Sequence, residues 1–305
     1  MASIVSKRPI LGRERPIQGH LSAGTAYELC MKTKTVSTEN SAIPAQKKVE
    51  DRAHTQFLSG DVLVNTRQLA TVTWVNARGT QQSETAGPGL LRHALVEAIP
   101  IRKSKSHTNS TSYRGHAWFS QTDQQLWTES RFEWFALMWL DMFHDIDSIA
   151  VQPMRIDFGD GTHHFPDVLA LHADARQVLY DIKPAATITP KAAEQFRKTR
   201  DVCARIGWGY EVFSGLPPLV TKNVKFLWNF RGPDHKPSDA VARRIIELLD
   251  TPRTISSVVM ESGLLLPVVN TGIFHMVWKR QLRADLSTRF SYSTLIERNS
   301  NVRDA

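Results

Sequence analysis

The segment 127–207 constrains the fold most strongly, because a helical pattern lies at each of its ends and strand patterns fill the middle. Residues 127–147 have the sequence WTESRFEWFALMWLDMFHDID, in which large apolar side chains recur at steps of three and four. This spacing predicts an amphipathic helix whose apolar stripe is buried. Thr128 is the expected N-cap, and Arg131 at the third helical position means that the full capping box is absent.

A second helix is predicted at 189–207, with clear signals at both ends. Thr189 is a capping residue, Pro190 suits the first helical turn, and Gly207 is a common helix stop. A strand pattern, GYEVFSG, follows directly at 209–215. The chain therefore leaves this helix into another strand of the same predicted domain.

Strand patterns fill residues 148–184 between the two helices. Turn residues at 159–161 and 173–175 divide this run into three predicted strands. Residues 224–230, VKFLWNF, are interpreted as a further strand. Strands that alternate with helices predict an α/β fold, here a mixed-sheet core flanked by helices.

The two ends of the chain have different patterns from this core. Residues 1–55 are polar and weakly patterned, so we expect disorder or loose structure there. The core domain is predicted at 56–235, ending in the polar, proline-bearing break RGPDHKPSD at 231–239. Residues 236–305 contain three helix patterns and a possible hairpin, which predict a small winged-helix-like module.

Composition narrows the class of protein and of partner. The formal net charge of +8 and the pI near 9.6 favour an anionic partner such as nucleic acid. The two cysteines, Cys30 and Cys203, are far apart and form no disulfide framework, which suits a reducing compartment. No apolar run approaches the roughly 20 residues that span a bilayer. We therefore expect a soluble, cytoplasmic protein that does not enter a membrane.

One basic segment is a candidate for contact with nucleic acid. Residues 98–122 contain no acid, but they include aromatic side chains and the basic residues Arg102, Lys103, Lys105 and Arg114. Basic and aromatic side chains together suit binding to phosphates and bases. An equally simple interpretation is a solvated loop over the core.

Acids and a lysine lie at the ends of two neighbouring predicted strands. Asp167 follows Pro166 at the start of VLALH, and Asp181 and Lys183 close the strand QVLYDIK on one of its faces. A hairpin connection would bring Asp167 close to Asp181. Two converging carboxylates repel unless a cation lies between them, and Mg²⁺ prefers such oxygen ligands. The alternative is a pair of ordinary strand ends at which Lys183 neutralises Asp181.

A metal site of this kind requires another acid from the preceding helix. Glu129 and Glu133 are four residues apart, on one face of the predicted helix. Glu133 is embedded in the apolar stripe and is interpreted as the inward acid, because a buried carboxylate needs a partner or a metal. The adjacent His163 and His164 would point to opposite faces of a strand, so we interpret them as surface residues.

These motifs together resemble the TnsA family, the endonuclease subunits of heteromeric cut-and-paste transposases, within the PD-(D/E)xK nuclease superfamily. The likeness covers roughly 95–296 and includes the pair Gln152-Pro153, Pro166-Asp167 and the run 181–184, Asp-Ile-Lys-Pro. It implies a restriction-endonuclease-like core.

The resemblance also implies a role for each candidate site residue. Glu133 and Asp167 resemble the metal-binding acids, and Lys183 resembles the catalytic lysine. Asp181 stands where the family often has a glutamine or another polar residue, which implies a weaker or optional ligand. The expected cofactor is Mg²⁺, with Mn²⁺ as a substitute.

The activity implied by the resemblance is hydrolysis of one DNA strand at each transposon end. The implied partners are a DDE transposase subunit and an AAA+ ATPase regulator that contacts the C-terminal module. Two alternatives stay open: a stand-alone restriction or repair nuclease of the same fold, and a DNA-binding adaptor without activity.

Overall fold

The computed structural model describes residues 69–102 and 115–299, and within them the chain has the mixed α/β composition that the sequence predicts. The strands are β1 (Thr71–Val75), β2 (Gln81–Thr85), β3 (Gly115–Phe119), β4 (Gln124–Thr128), β5 (Ile146–Val151), β6 (Met154–Asp157), β7 (His163–His164), β8 (Val168–His172), β9 (Gln177–Ile182), β10 (Gly209–Phe213), β11 (Arg253–Thr254), β12 (Leu282–Ala284) and β13 (Leu295–Arg298). The α-helices of the described ranges are α1 (Arg131–Phe143), α2 (Pro190–Ile206), α3 (Pro218–Leu227), α4 (Asp239–Glu247), α5 (Ile255–Ser262) and α6 (Leu266–Trp278).

A mixed sheet with the strand order β10-β9-β8-β5 positions the candidate site. Strands β5, β8 and β9 are antiparallel neighbours, whereas β10 runs parallel to β9 because α2 connects the two. Val168 of β8 lies opposite Tyr180 of β9, and this register brings the start of β8 to the end of β9. The described residues also form a second four-stranded sheet, of the order β2-β1-β6-β7, and a separate two-stranded hairpin, β3-β4.

Side chains of β9 alternate between two apolar clusters, as the sequence predicts. Val178 and Tyr180 are buried in the cluster that contains the apolar face of α1. Leu179 is buried in the other cluster, together with Val202 and Ile206 of α2. The two helices therefore cover the two opposite faces of this sheet, and each excludes water from one row of β9 side chains.

Helix α1 begins later than the sequence predicts and has a different cap. Thr128 is the last residue of β4, and Ser130 is the N-cap, its hydroxyl oxygen accepting the Glu133 N–H at 3.1 Å. The Glu133 carboxylate in turn accepts the Glu129 N–H at 2.8 Å. Ser130 and Glu133 therefore have the spacing of a capping box, but Glu133 accepts the N–H of the residue before the cap and the Ser130 hydroxyl rather than the Ser130 N–H.

Helix α2 has the boundaries that the sequence predicts. The Thr189 hydroxyl accepts the Ala192 N–H at 3.3 Å, and Pro190 occupies the first turn. Gly207 ends the helix with φ +97°, a left-handed conformation that glycine adopts without strain. Local side-chain chemistry fixes both ends of this helix, and sequence signals of that kind are the most direct to interpret.

Two predictions about the strands are wrong. Residues 224–230, predicted as a strand, lie in the second half of α3 and in the turn after it, with Val220, Val224 and Leu227 buried on one helical face. The run 148–184 forms more strands than predicted, because Pro153 lacks an N–H and separates β5 from β6.

The C-terminal part contains the three helices and the strand pair that its sequence predicts. Helices α4, α5 and α6 are followed by the antiparallel pair β12-β13, and β11 completes a sheet of the order β11-β13-β12. Its buried residues, among them Ile245, Ile273 and Trp278, belong to the same apolar cluster as α1. A domain boundary at 235/236 stays a prediction, and the buried cluster extends across it.

Of two basic residues after α6, Arg280 contacts the C-terminal end of α1 directly, and Lys279 contacts Ser120, whose hydroxyl donates to Asp141 of that helix. The Arg280 guanidinium donates to the carbonyl oxygen of Met142 at 3.0 Å and pairs with the Asp145 carboxylate. The Lys279 ammonium donates to the Ser120 hydroxyl at 3.0 Å. The Arg280 guanidinium satisfies free carbonyls at the end of α1 and complements the helix dipole. The two basic residues therefore fasten the C-terminal part to the helix that carries Glu133.

Some predictions lie outside the described residues. They are the loose structure at 1–55 and the DNA contacts of Lys103, Lys105 and Arg114. Arg102 is described and exposed. Within the described ranges, no helix is long and apolar enough to cross a membrane.

We expect Arg280→Ala to lower the free energy of unfolding by about 1–3 kcal/mol, because it leaves α1 carbonyls and Asp145 without their charged partner. Chemical denaturation measures this change. Arg243→Ala is the matched control, since Arg243 is exposed on α4 and makes no hydrogen bond or ion pair with another described residue. Equal stability of the two variants would contradict the assigned role of Arg280.

Candidate active site

A small pocket lies between the first turn of α1 and the adjoining ends of β5, β8 and β9. Its walls include two carboxylates, one amide and apolar side chains, namely Glu133, Asp167, Gln152, Trp127 and Ile182. The cavity has a volume of about 10 Å³, which is room for about one water-sized sphere. Of the predicted site residues, the structure brings Glu133 and Asp167 together here.

Asp167 is placed by the residue before it and by the backbone of the next strand. Pro166 precedes it without an N–H to donate, and β8 begins one residue later. The Asp167 carboxylate accepts the Ile182 N–H at 2.6 Å, so it is held across the end of β9. Burial raises the pKa of Asp167 well above its ordinary value, and the charges of Asp181 and Glu133 raise it further.

Glu133 combines two structural bonds with a position in the pocket. One carboxylate oxygen accepts the Glu129 N–H, and the other accepts the Ser130 hydroxyl at 2.9 Å. Burial raises the pKa of Glu133, although these two hydrogen bonds oppose the shift. Glu129 does not line the pocket, and one of its oxygens lies 3.9 Å from the Arg102 guanidinium. The geometry agrees with the choice of Glu133 as the inward acid, and its role as a metal ligand stays a prediction.

Asp181 is buried on the other face of β9, on the side of Leu179. One of its oxygens is 2.7 Å from the His164 ring nitrogen Nε2, and the other accepts the Tyr210 hydroxyl at 2.5 Å. It is 1% exposed and does not line the pocket. Its charge acts on Asp167 through space, and its predicted role as a ligand is untested.

His164 differs from its interpretation as a surface residue. Its side chain is only 11% exposed and is paired with Asp181, whereas His163 beside it is exposed. The expectation that the two rings point to opposite faces is consistent with this difference. What the sequence did not indicate is that one of those faces is covered by β9 and β10.

Lys183 lies one residue beyond the end of β9. Its backbone N–H donates to the carbonyl oxygen of Phe213 at 3.0 Å, which fixes the chain against the end of β10. The side chain is half-buried and makes no hydrogen bond or ion pair with another described residue. It is not a wall of the pocket, and its catalytic role stays a prediction.

The donors in the pocket are oxygen atoms of the kind that hard cations prefer. Within residues 69–102 and 115–299, no three or more His, Cys, Asp or Glu side chains form a group that could hold a metal ion. Two carboxylates line the pocket, together with the Gln152 amide and the Thr128 hydroxyl, which donates to the Gly115 carbonyl oxygen. Two carboxylates with further neutral or water oxygens are a usual environment for Mg²⁺.

Sequence reasoning assigned no role in the site to three polar residues near these acids. They are His164, Tyr210 and Gln152, the last of which it noted only as part of the Gln152-Pro153 pair. Gln152 carried a recognisable signal, because it is a polar residue before a proline at the end of an apolar strand. The bond between Tyr210 and Asp181 depends on the parallel pairing of β9 with β10, which no local pattern reveals.

No protein-family model matches this chain, and no curated protein sequence matches it significantly. The resemblance to TnsA proteins therefore stays a prediction from the motif residues.

We expect Asp167→Asn to raise the thermal unfolding midpoint of the metal-free protein at pH 7. Because the folded state raises the pKa of this carboxyl above its ordinary 3.8, ionisation lowers the free energy of unfolding as the pH rises above that value. The gain should disappear below the ordinary pKa, where the carboxyl is protonated in both states.

Scanning calorimetry across this pH range measures the effect. The control is Asp147→Asn, which removes an exposed carboxylate from the neighbouring β5 and should leave the midpoint nearly unchanged. A destabilised Asp167→Asn protein at pH 7 would show that the carboxylate serves the fold rather than a ligand.

Proposed function

We propose that this protein is a divalent-metal-dependent DNA endonuclease, the subunit of a heteromeric transposase that hydrolyses one strand at each transposon end. The observation that carries the proposal is the convergence of Glu133 and Asp167 in one pocket, from a helix and from a strand start. Acids with raised pKa values that share a pocket are typical of a functional site.

The residues present fit a magnesium site, in which Glu133 and Asp167 would hold the ion. Bound there, Mg²⁺ or a substituting Mn²⁺ would lower the pKa of a coordinated water and offset charge on the phosphate. The two carboxylates repel each other and no basic residue lines the pocket. A cation would relieve that repulsion, which favours metal binding over a purely structural role.

Lys183 is proposed to stabilise the negative charge that develops on the phosphate. It follows β9, the strand whose last residue, Ile182, lines the pocket and donates its N–H to Asp167. An ammonium group without a carboxylate partner among the described residues is available for an anionic substrate.

The DNA backbone is proposed to approach along the basic segment that begins at Arg102. The Ile101 N–H donates to the Gln152 carbonyl oxygen at 3.1 Å, so this segment leaves the edge of the pocket. Lys103, Lys105 and Arg114 would extend the contact to neighbouring phosphates. The net charge of +8 supports such a substrate.

We also propose a specific fold for the core and for the C-terminal part of the chain. The four-stranded mixed sheet with α1 and α2 on opposite faces supports a restriction-endonuclease-like core. Three helices followed by a small antiparallel sheet support a winged-helix-like module at the C-terminus.

The proposed partners besides DNA are a DDE transposase and an AAA+ ATPase, and the protein would act in the cytoplasm. Support for a protein partner comes from exposed apolar side chains around the turn between α5 and α6. Met260 and Leu265 are each 75% exposed, and Leu266 is 50% exposed. This turn belongs to the module that the proposed ATPase would contact.

A DNA-binding adaptor without nuclease activity is the second candidate. The observation in its favour is that Glu133 and Asp181 already have protein partners on both oxygens. In that case the same basic segment would bind DNA without cleavage. A stand-alone nuclease would differ from the transposase subunit by cutting without partner proteins.

We expect the protein, with Mg²⁺ and its partner subunits, to nick a supercoiled plasmid that carries the transposon ends. Lys183→Ala should reduce the nicking rate by about 100-fold or more, because it removes the charge that stabilises the reacting phosphate. Agarose gels separate the nicked from the supercoiled plasmid.

Lys191→Ala is the matched control for Lys183→Ala, since Lys191 is an exposed lysine in the first turn of α2. It should cut at the wild-type rate. Equal rates for all three proteins would remove Lys183 from the mechanism. A complete absence of cutting with retained DNA binding would favour the adaptor.

We expect Glu133→Gln to lose Mn²⁺ binding while it keeps the stability of α1. Glutamine can accept the same hydrogen bonds at this position, so the free energy of unfolding should fall by no more than about 0.5 kcal/mol. Glu133→Ala should lose both the ion and about 1 kcal/mol of stability. Calorimetric titration with Mn²⁺ and chemical denaturation measure the two effects. Wild-type Mn²⁺ affinity in Glu133→Gln would assign this acid to capping alone.

A further inference from the structure

Gln152 has a backbone conformation that side-chain-bearing residues rarely adopt. It lies one residue beyond β5 with φ +47°, in the left-handed region. Glycine and asparagine adopt this conformation with little strain, but residue 152 is a glutamine, so its residue type does not explain the conformation. Strain of this kind persists where the surroundings hold it, and it is concentrated at functional sites.

Two backbone hydrogen bonds fix Gln152 beside Asp167. The Gln152 N–H donates to the Asp167 carbonyl oxygen at 2.7 Å, and the Gln152 carbonyl oxygen accepts the Ile101 N–H at 3.1 Å. Since Val151 pairs with Val168, this contact extends the β5-β8 ladder by one residue. Gln152 and Asp167 are therefore held as cross-strand neighbours at the edge of the pocket.

The Gln152 side chain is buried, yet its amide has no protein partner. The residue is 7% exposed and forms part of the pocket wall with Glu133 and Asp167. The amide makes no hydrogen bond with another described residue. The amide atoms are not fully enclosed, so water or a ligand that enters the pocket can reach them and supply the missing hydrogen bond or coordination.

We propose that the Gln152 side-chain oxygen Oε1 is a ligand of the same divalent cation as Glu133 and Asp167. The proposal rests on the function proposed above and completes its site with a residue that the acid motif does not contain. Amide oxygens are ordinary ligands of hard cations. Two carboxylates and one neutral amide also balance a charge of +2, while both oxygens of Asp181 are bonded elsewhere.

The alternative role of the Gln152 amide is to donate its N–H to a phosphate oxygen of the substrate instead of binding the cation through Oε1. The two uses differ in their response to Gln152→Glu. A carboxylate retains an oxygen ligand for the cation, whereas it repels a phosphate and has no N–H to donate. The pocket wall contains acids and no basic residue, which favours the cation.

Calorimetric titration of the full-length protein with Mn²⁺, without DNA, tests the proposal. Gln152→Met keeps the approximate length but has no oxygen, and it should weaken Mn²⁺ binding by about 10-fold to 100-fold. Gln152→Glu should bind at least as tightly as the wild type. Gln125→Met, at an exposed position of β4, is the matched control and should bind normally.

Gln152→Asn controls for the possibility that Gln152→Met weakens Mn²⁺ binding by disturbing the fold. Asparagine tolerates the left-handed backbone better than other residues, but its amide is one carbon shorter and should not reach the ion. Thermal unfolding without metal should therefore match the wild type, while Mn²⁺ binding weakens as in Gln152→Met.

The outcomes separate this inference from the proposed function. If Asp167→Asn abolishes Mn²⁺ binding but Gln152→Met and Gln152→Asn bind normally, Gln152 is no ligand and the proposed site stands. If Gln152→Glu binds as weakly as Gln152→Met, the oxygen-ligand role is overturned. If the wild type binds no Mn²⁺, or Asp167→Asn binds it normally, both proposals fail.

Discussion

The antiparallel register of β8 and β9 is the constraint on which the site depends. Val168 lies opposite Tyr180, so the residue before β8 meets the end of β9, where the Ile182 N–H donates to the Asp167 carboxylate. A shift by one residue would exchange the two faces of β9. It would bury the Asp181 carboxylate in the apolar cluster that contains the α1 side chains. The apolar clusters on both faces therefore fix the register, and the register fixes Asp167.

The pocket keeps two acids close together without a basic side chain in its walls. Burial raises the pKa of both Glu133 and Asp167, so the metal-free fold is opposed by their charges near neutral pH. The capping bonds of Glu133 and the backbone bond of Asp167 hold the two carboxylates in place despite this repulsion. The fold therefore sets the positions of these oxygens, which suits the cation that we propose to bind there.

The parts of this molecule that the sequence predicted are those with local causes. The caps of α2, the turn residues between strands and the alternation along β9 each depend on a few neighbouring side chains. The cap of α1 was misassigned because β4 ends where the helical pattern begins, so Thr128 resembled a cap. The partners of Asp181 come from β7 and β10, and only the pairing of distant strands brings His164 and Tyr210 to it.

The spacing Asp-x-Lys at the end of β9 has a consequence that depends on where the strand stops. Within a regular strand, Lys183 would share the face of Asp181, opposite to the pocket. The strand ends at Ile182, however, and Pro184 restricts the backbone of Lys183 just beyond it. The Lys183 N–H nevertheless donates to the carbonyl oxygen of Phe213, so the backbone follows β10 for one residue beyond the strand. Asp181 then supports the strand end from behind, through His164 and Tyr210, while Ile182 lines the pocket in front.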